Sequence, residues 1–195
     1  MKKVFFSFAV VAVAAIALAA CGNKSANAQA AEGAADGQQA EAAVPDGFKT
    51  HEFAHFTISL PEEFKTSYEA ESDNVTFDSD SIYTLEDGTE MSSTAYVNCG
   101  FMTGGATPAQ IKETAQNLKL GQEATGETCD EPKIDGNIIL MRHWYQNDDE
   151  KVITWRWWIV SESGNNIAGN IYFGESQAKL YEPYVDTIVK SIKFK

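Results

Sequence analysis

Apolar and polar residues alternate along much of residues 48–195, and this period of two predicts β-strands. The first predicted strand is Glu52–Leu60, with Ala54, Phe56 and Ile58 on one face, and Pro61 ends it. Further predicted strands are 64–69, 74–77, 81–85, 92–102, 123–130, 137–146, 151–162 and 166–173. Turn-forming residues separate the last four of these, which indicates an antiparallel meander.

Two segments follow a helical period instead. Thr107-Pro108-Ala109-Gln110 has the residues of a capping box, and Ile111, Ala115 and Leu118 then share one face of a helix that we expect to end near Gly121. After a loose turn, a second helix is expected from Glu182, with Tyr184, Ile188 and Ile192 on one face.

The hairpin at 137–162 has a predictable register. If Gln146 lies opposite Lys151, then Arg142 lies opposite Trp155 and Leu140 lies opposite Trp157. Both faces of these two strands are then rich in apolar residues. The pattern therefore predicts an α+β domain built on one antiparallel sheet, with helices or loops on both faces.

The N-terminus has the three parts of a secretory signal. Lys2 and Lys3 precede an apolar run, and Leu18-Ala19-Ala20-Cys21 resembles the lipobox of bacterial lipoproteins. The resemblance implies that residues 1–20 are a signal peptide removed by cleavage. It also implies that Cys21 receives a diacylglyceryl group on its thiol and an acyl chain, such as palmitate, on its new amino terminus. An uncleaved membrane helix and a secretory signal without lipidation are the alternatives.

Residues 21–47 contain no aromatic side chain and are predicted to be a disordered linker between the lipidated cysteine and one domain at 48–195. The chain has 15 basic and 28 acidic residues and a net charge of −13, and removal of Lys2 and Lys3 makes it more acidic still. This charge argues against nucleic acid as a partner. We expect the domain to lie in the bacterial cell envelope, outside the cytoplasm.

Cys99 and Cys129 are the cysteines that remain after Cys21. An exported compartment is oxidising, and an even pair there favours a disulfide. The alternative is two separate buried thiols, which pack as small apolar groups.

His51-Glu52-Phe53-Ala54-His55 matches the zincin sequence H-E-x-x-H. Zinc binding requires both histidines on one helical turn, whereas these residues enter a predicted strand, where residues four apart are about 13 Å from each other. We therefore interpret His51 and His55 as exposed strand residues. A zinc-dependent hydrolase with Glu52 as general base is the catalytic alternative.

Arg142, Trp144, Trp155 and Trp157 share one face of the predicted hairpin and form a candidate ligand patch. Aromatic residues of central strands are more often core, and Arg142 is expected to stack on Trp155 or to bind an anion. No phosphate loop, dinucleotide fingerprint or nucleophile-elbow motif is found, so the sequence indicates no cofactor and no metal.

The ends of the domain resemble the PsbP-like and DcrB-like exported proteins. The resemblance rests on Phe56-x-Ile58-x-Leu60-Pro61 and on Pro183-Tyr184 through Ser191-Ile192-x-Phe194. It implies an α/β/α sandwich that serves as an accessory or binding module. The leading hypothesis is a lipid-anchored, non-catalytic domain that binds an envelope protein or a small ligand; a structural envelope lipoprotein is a further alternative.

Overall fold

An antiparallel sheet of eight strands forms the centre of the domain. The computed structural model describes residues 45–69, 74–79, 81–84, 88, 90–93, 95–147 and 150–195. The predicted signal peptide, the predicted lipidation site Cys21 and the predicted linker up to residue 44 lie outside the described residues.

The elements are given in chain order. The strands are β1 (Phe48–Glu52), β2 (Phe56–Pro61), β3 (Phe64–Glu69), β4 (Asn74–Ser79), β5 (Ser81–Thr84), β6 (Glu90–Ser93), β7 (Tyr96–Met102), β8 (Thr128–Cys129), β9 (Lys133–Asp135), β10 (Ile138–Gln146), β11 (Lys151–Val160), β12 (Asn166–Gly174) and β13 (Lys193–Phe194). The helices are α1 (Ile111–Glu123), α2 (Ala178–Tyr181) and α3 (Val185–Ser191), with 3-10 turns at Pro108–Gln110, Glu175–Gln177 and Glu182–Tyr184. No helix in these described ranges is long and apolar enough to span a membrane.

The large sheet has the strand order β3-β4-β7-β12-β11-β10-β8, and β9 also pairs with β10. The predicted meander is confirmed, since β10, β11 and β12 are antiparallel neighbours. The predicted hairpin register is also confirmed: Gln146 pairs with Lys151, Arg142 with Trp155, and Leu140 with Trp157. A one-residue shift would have moved the buried residues of both strands to the opposite faces.

The predicted first strand is wrong as a single element. Residues 52–60 divide between β1 and β2, which pair as a hairpin around Phe53, whose N–H donates to the Phe56 carbonyl at 2.9 Å. The two-residue strand β13 pairs with the other edge of β2 and completes a three-stranded sheet, β1-β2-β13. The chain ends of the described domain therefore meet in one small sheet.

The helices lie on the two faces of the large sheet. On one face, α3 and the three-stranded sheet cover the main core, whose fully buried side chains include Phe56, Trp157, Tyr181 and Ile188. On the other face, Ile111 and Ala115 of α1 pack against Ile139 and Val160. The structure thus has the predicted α+β architecture with helices on both faces.

Helix α1 begins as predicted and ends later than predicted. The amide N–H of Thr107 donates to the Gln110 side-chain oxygen at 3.1 Å, within the expected capping box. The helix continues through Gly121 to Glu123, because the glycine with the positive φ that is typical of a helix end is Gly126 (φ 88°) and not Gly121. The predicted strand at 123–130 is consequently reduced to Thr128–Cys129.

Candidate functional site

Two tryptophans and an arginine lie half-buried where β10 and β11 meet the turn before α3. The Arg142 Nε donates a hydrogen bond to Glu182 Oε1 at 2.9 Å, and the Trp155 Nε1 donates to the same oxygen at 3.3 Å. The Arg142 guanidinium lies 5.1 Å from the centre of the Trp144 ring. One carboxylate therefore positions both the arginine and a tryptophan of the neighbouring strand.

Two further charged side chains border these three residues. Asp130 Oδ2 lies 3.9 Å from Arg142 Nη1, and Lys133 Nζ lies 5.8 Å from the centre of the Trp155 ring. We call this surface the Arg–Trp patch; its members are Asp130, Lys133, Arg142, Trp144, Trp155 and Glu182. Charges of both signs surround aromatic rings that keep part of their surface in solvent. Partly exposed tryptophan and arginine side chains are typical of the residues that contribute most of the binding free energy at protein–protein interfaces.

The structure separates Trp157 from the other predicted patch residues. Trp157 is fully buried. Its neighbours across the strands are Leu140 and Gly169, and the absence of a side chain at Gly169 leaves room for the indole ring. Trp157 is therefore a core residue, and the expected stack of Arg142 on Trp155 is replaced by a stack on Trp144.

A second polar cluster lies on the opposite face of β10, below the end of α1. The His143 Nδ1 contacts Glu127 Oε2, and the other Glu127 oxygen accepts a hydrogen bond from Gln122 Nε2 at 2.6 Å. The Arg156 Nη1 donates to Gln122 Oε1 at 2.6 Å. Burial lowers the pKa of His143, although the nearby Glu127 opposes that shift, and burial also lowers the pKa of Arg156. The contacts within this cluster join α1 to the sheet.

The zincin sequence does not adopt the helical turn on which its two histidines could bind one zinc ion. His51 and Glu52 belong to β1 and His55 to the following turn, so no helix brings the histidines together. The His55 ring stacks on Phe101 at 4.4 Å, and Glu52 pairs with Lys195 at 3.0 Å. Among the described residues no group of three or more His, Cys, Asp or Glu side chains is placed to hold a metal.

His51 differs from the exposed residue that the strand pattern predicts. Its ring lies 4.7 Å from the Phe77 ring in an edge-on contact, and the side chain is half-buried. Burial lowers the pKa of His51, and the charge of Lys49 adds to that shift. His51 is thus part of the packing between the hairpin and the large sheet.

The predicted disulfide between Cys99 and Cys129 is wrong in this fold, since both cysteines are free. Cys99 lies in β7 and Cys129 in β8, with β12, β11 and β10 between them. At about 4.8 Å per strand the backbones are separated by roughly 19 Å, whereas a disulfide requires Cα atoms within about 7 Å. The side chains also point to opposite faces, because Cys99 aligns with Trp157 through Gly169, and Cys129 aligns with His143.

The sequence did not predict three charged members of the Arg–Trp patch, Glu182, Asp130 and Lys133. Glu182 is 40 residues from Arg142, and its position before Pro183 suggested only the start of a helix. Asp130 and Lys133 fell in a predicted strand end and a predicted turn. A cross-strand register gives neighbours within a sheet, but it gives no information on which helical turn lies above it.

Comparison with known proteins identifies the fold of the described domain. No protein-family model and no curated protein sequence matches the chain. Among solved structures, the Ran-binding protein Mog1p of Saccharomyces cerevisiae is similar over 75% of this chain and 94% of its own, at 14% identity and a TM-score of 0.53. PA94 of Pseudomonas aeruginosa, a protein of unknown function, matches over 74% of this chain and 94% of its own at 9% identity, with a TM-score of 0.45.

A likeness at this level of identity shows architecture and leaves activity open. This chain has the β-meander, the helices on both faces of the sheet and the returning strand β13. The described domain has the α+β fold of the Mog1p and PsbP-like proteins.

Proposed function

We propose that this chain is a lipid-anchored, non-catalytic domain of the bacterial envelope that binds another protein through the Arg–Trp patch. The observation that carries the proposal is the half-buried Trp144 with the Arg142 guanidinium over its ring. Tryptophan and arginine supply the largest share of binding free energy at protein interfaces. Glu182 holds the arginine in place before a partner arrives, which reduces the entropy lost on binding.

The anchor is proposed from the lipobox-like Leu18-Ala19-Ala20-Cys21. Two or more acyl chains hold a protein stably on a membrane, and a polar linker would keep the acidic domain away from the lipid surface. The fold is compatible with protein binding, because Mog1p, which has the same architecture, is a Ran-binding protein.

The patch can be tested by site-specific crosslinking in intact cells. A photoreactive phenylalanine derivative replaces Trp144 in the full chain, and Tyr145, the next residue along β10, serves as the control position. Tyr145 is 44% exposed and faces the opposite side of the sheet. We expect a crosslink to a different protein from position 144 and none to that protein from position 145. Equal labelling from both positions, or no protein adduct from position 144, would contradict the proposal.

Substitutions then measure the contribution of the patch to binding. With the captured partner purified, Arg142→Ala and Trp144→Ala are each expected to raise Kd at least tenfold, since interface hot spots contribute about 1.4 kcal/mol or more. Tyr145→Ala is the matched control and is expected to leave Kd within about twofold. Unchanged affinity in both patch variants would place the contact elsewhere.

The anchor has its own test. Cells fed a labelled fatty acid are expected to transfer label to the wild-type chain and none to Cys21→Ser. The variant should also leave the membrane fraction. Label on the variant, or none on the wild type, would reject lipidation at Cys21 and leave the patch proposal standing.

A further inference from the structure

Strand β9 forms an open edge of the large sheet. Within the described residues it pairs with β10 alone, and Lys133, Ile134 and Asp135 are all exposed. The strand belongs to a tight hairpin in which Asp135 pairs with Ile138, Ile134 with Ile139, and Lys133 with Leu140. An edge of this kind can accept one more strand.

The hydrogen-bond pattern shows which backbone groups face outward. The Asp130 N–H donates to the Arg142 carbonyl at 2.9 Å, and the Val160 N–H donates to the Asn137 carbonyl at 3.0 Å. Even-numbered residues of β10 therefore bond toward β8 and β9, and odd-numbered residues bond toward β11. Ile139 is odd-numbered, so Ile134 opposite it directs its own N–H and C=O away from the sheet.

We propose that a second copy of this chain pairs with β9 in antiparallel orientation, about a two-fold axis at Ile134. The two Ile134 residues then exchange both N–H···O=C bonds. On each side of this pair, Lys133 lies opposite the partner's Asp135. These are non-hydrogen-bonded positions, where the Cα atoms are only about 4.5 Å apart and side chains are closest. The result is two backbone hydrogen bonds and two ion pairs across a continuous sheet.

The charges select this register over its neighbours. An axis at residue 133 would place Lys133 against the partner's Lys133, and an axis at residue 135 would place two aspartates together. Like charges directly opposite each other destabilise a strand pair. Only the axis at Ile134 matches opposite charges and uses outward-facing backbone groups, so the sequence Lys-Ile-Asp is complementary to itself.

The apolar surface beside β9 also favours a second copy of this chain as the binding partner. A groove of about 380 Å³ lies between α1 and β9, with Leu120 and Ile134 in its wall. Leu120 is 55% exposed and Ile134 is 41% exposed, and both are among the most exposed large apolar side chains of the described chain. Pairing at β9 brings the groove of each copy beside the Ile134 of the other. The contact shares Lys133 with the Arg–Trp patch, but it does not involve Arg142 or Trp144, the residues on which the proposed patch function rests.

A charge-swap series on the full-length chain tests the contact. Lys133→Asp and Asp135→Lys each create two like-charge pairs, and each is expected to weaken dimerisation at least tenfold. The double variant Lys133→Asp with Asp135→Lys restores opposite charges and is expected to return the dimer to near the wild-type level. Sedimentation in detergent measures the dimer fraction against concentration.

A crosslink locates the contact within the dimer. In a Cys129→Ser background, Ile134→Cys is expected to form a covalent dimer with a short bis-maleimide. Leu180→Cys, at a 38% exposed position, is the control and is expected to form no covalent dimer. A monomeric wild type, single charge variants that dimerise like the wild type, or a double variant that stays as weak as the single ones would overturn the proposal. Equal crosslinking at positions 134 and 180 would also overturn it.

Discussion

His143 shows how burial alone can make one residue sensitive to pH. The ring is 2% exposed, and its Nε2 has no hydrogen-bond partner among the described groups. Burial lowers the pKa of His143 from its ordinary 6.5, and Glu127 offsets only part of that effect. Between the lowered folded value and 6.5, the unfolded chain binds a proton that the folded chain does not, so acid favours unfolding.

We therefore expect the free energy of unfolding to fall as the pH drops below about 6.5, and His143→Gln to reduce that loss. Urea unfolding at two pH values, one above and one below that point, measures the difference. His51, whose pKa burial also lowers, contributes part of the pH dependence in the wild type and in the variant alike. An unchanged pH dependence in His143→Gln would contradict the assignment.

Two glycines are expected to respond in opposite directions to alanine. A Cβ at Gly169 would lie 2.3 Å from the Asn98 carbonyl oxygen and 2.5 Å from Trp157 Cζ2, so Gly169→Ala must displace a strand or a core ring. Gly121 lies inside α1 with nothing within 4 Å of a Cβ. We expect Gly169→Ala to destabilise by about 1–3 kcal/mol and Gly121→Ala to stabilise by about 0.5–1 kcal/mol. Thermal unfolding measures both, and a change of the same sign in the two variants would refute the packing argument.

At the scale of single residues, the sequence predicted the contacts that follow from alternation along a strand. It missed the contacts that depend on side chains distant in the sequence. The pairing of Arg142 with Trp155 followed from a period of two and one turn. The stack of Arg142 on Trp144 depends on the Glu182 carboxylate, which arrives from a segment 40 residues away. Only the assembled structure brings that carboxylate to the sheet.

Among the elements, length decided which were predictable. Helix α1 and strand β11 repeat their pattern over 13 and 10 residues, respectively, and both were found. Strand β13 has two residues and β9 has three, too few for any period to be recognised. Both are edge elements that exist because a neighbouring strand offers hydrogen-bonding groups.

The small strand β13 nevertheless contributes to stability. Phe194 pairs with Phe56 and packs against the main core, and the Lys195 N–H donates to the His55 carbonyl at 2.9 Å. We expect Phe194→Ala to lower the free energy of unfolding by about 1–3 kcal/mol, less than a fully buried phenylalanine would. Denaturant unfolding is the measurement, with the exposed Lys179→Ala as control. Equal midpoints for the two variants would show that β13 is dispensable.

At the scale of the whole molecule, the sheet keeps its two thiols apart. Burial raises the pKa of Cys99 to about 12, so this thiol stays protonated and inert in the folded state. Cys129 is only half-buried, although burial and the charges of Glu123 and Glu127 also raise its pKa. The reactivity of the two thiols should therefore differ.

Alkylation followed by peptide mapping checks this expectation. Without reductant, the folded chain should be labelled slowly at Cys129 and not at Cys99, and the denatured chain should be labelled at both. A denatured chain that requires reductant before either cysteine is labelled would restore the disulfide that the sequence suggested.

The position of β2 between β1 and β13 has a consequence for how the chain can fold during synthesis. Phe56 and Thr57 pair with Phe194 and Lys193, which lie more than 130 residues later in the chain. Until β13 is made, one edge of the apolar segment Phe56–Pro61 has no strand to bond. Contacts between such distant residues form slowly, and open apolar edges aggregate in the meantime. A chain synthesised from its N-terminus therefore needs protection of β2 until β13 has emerged.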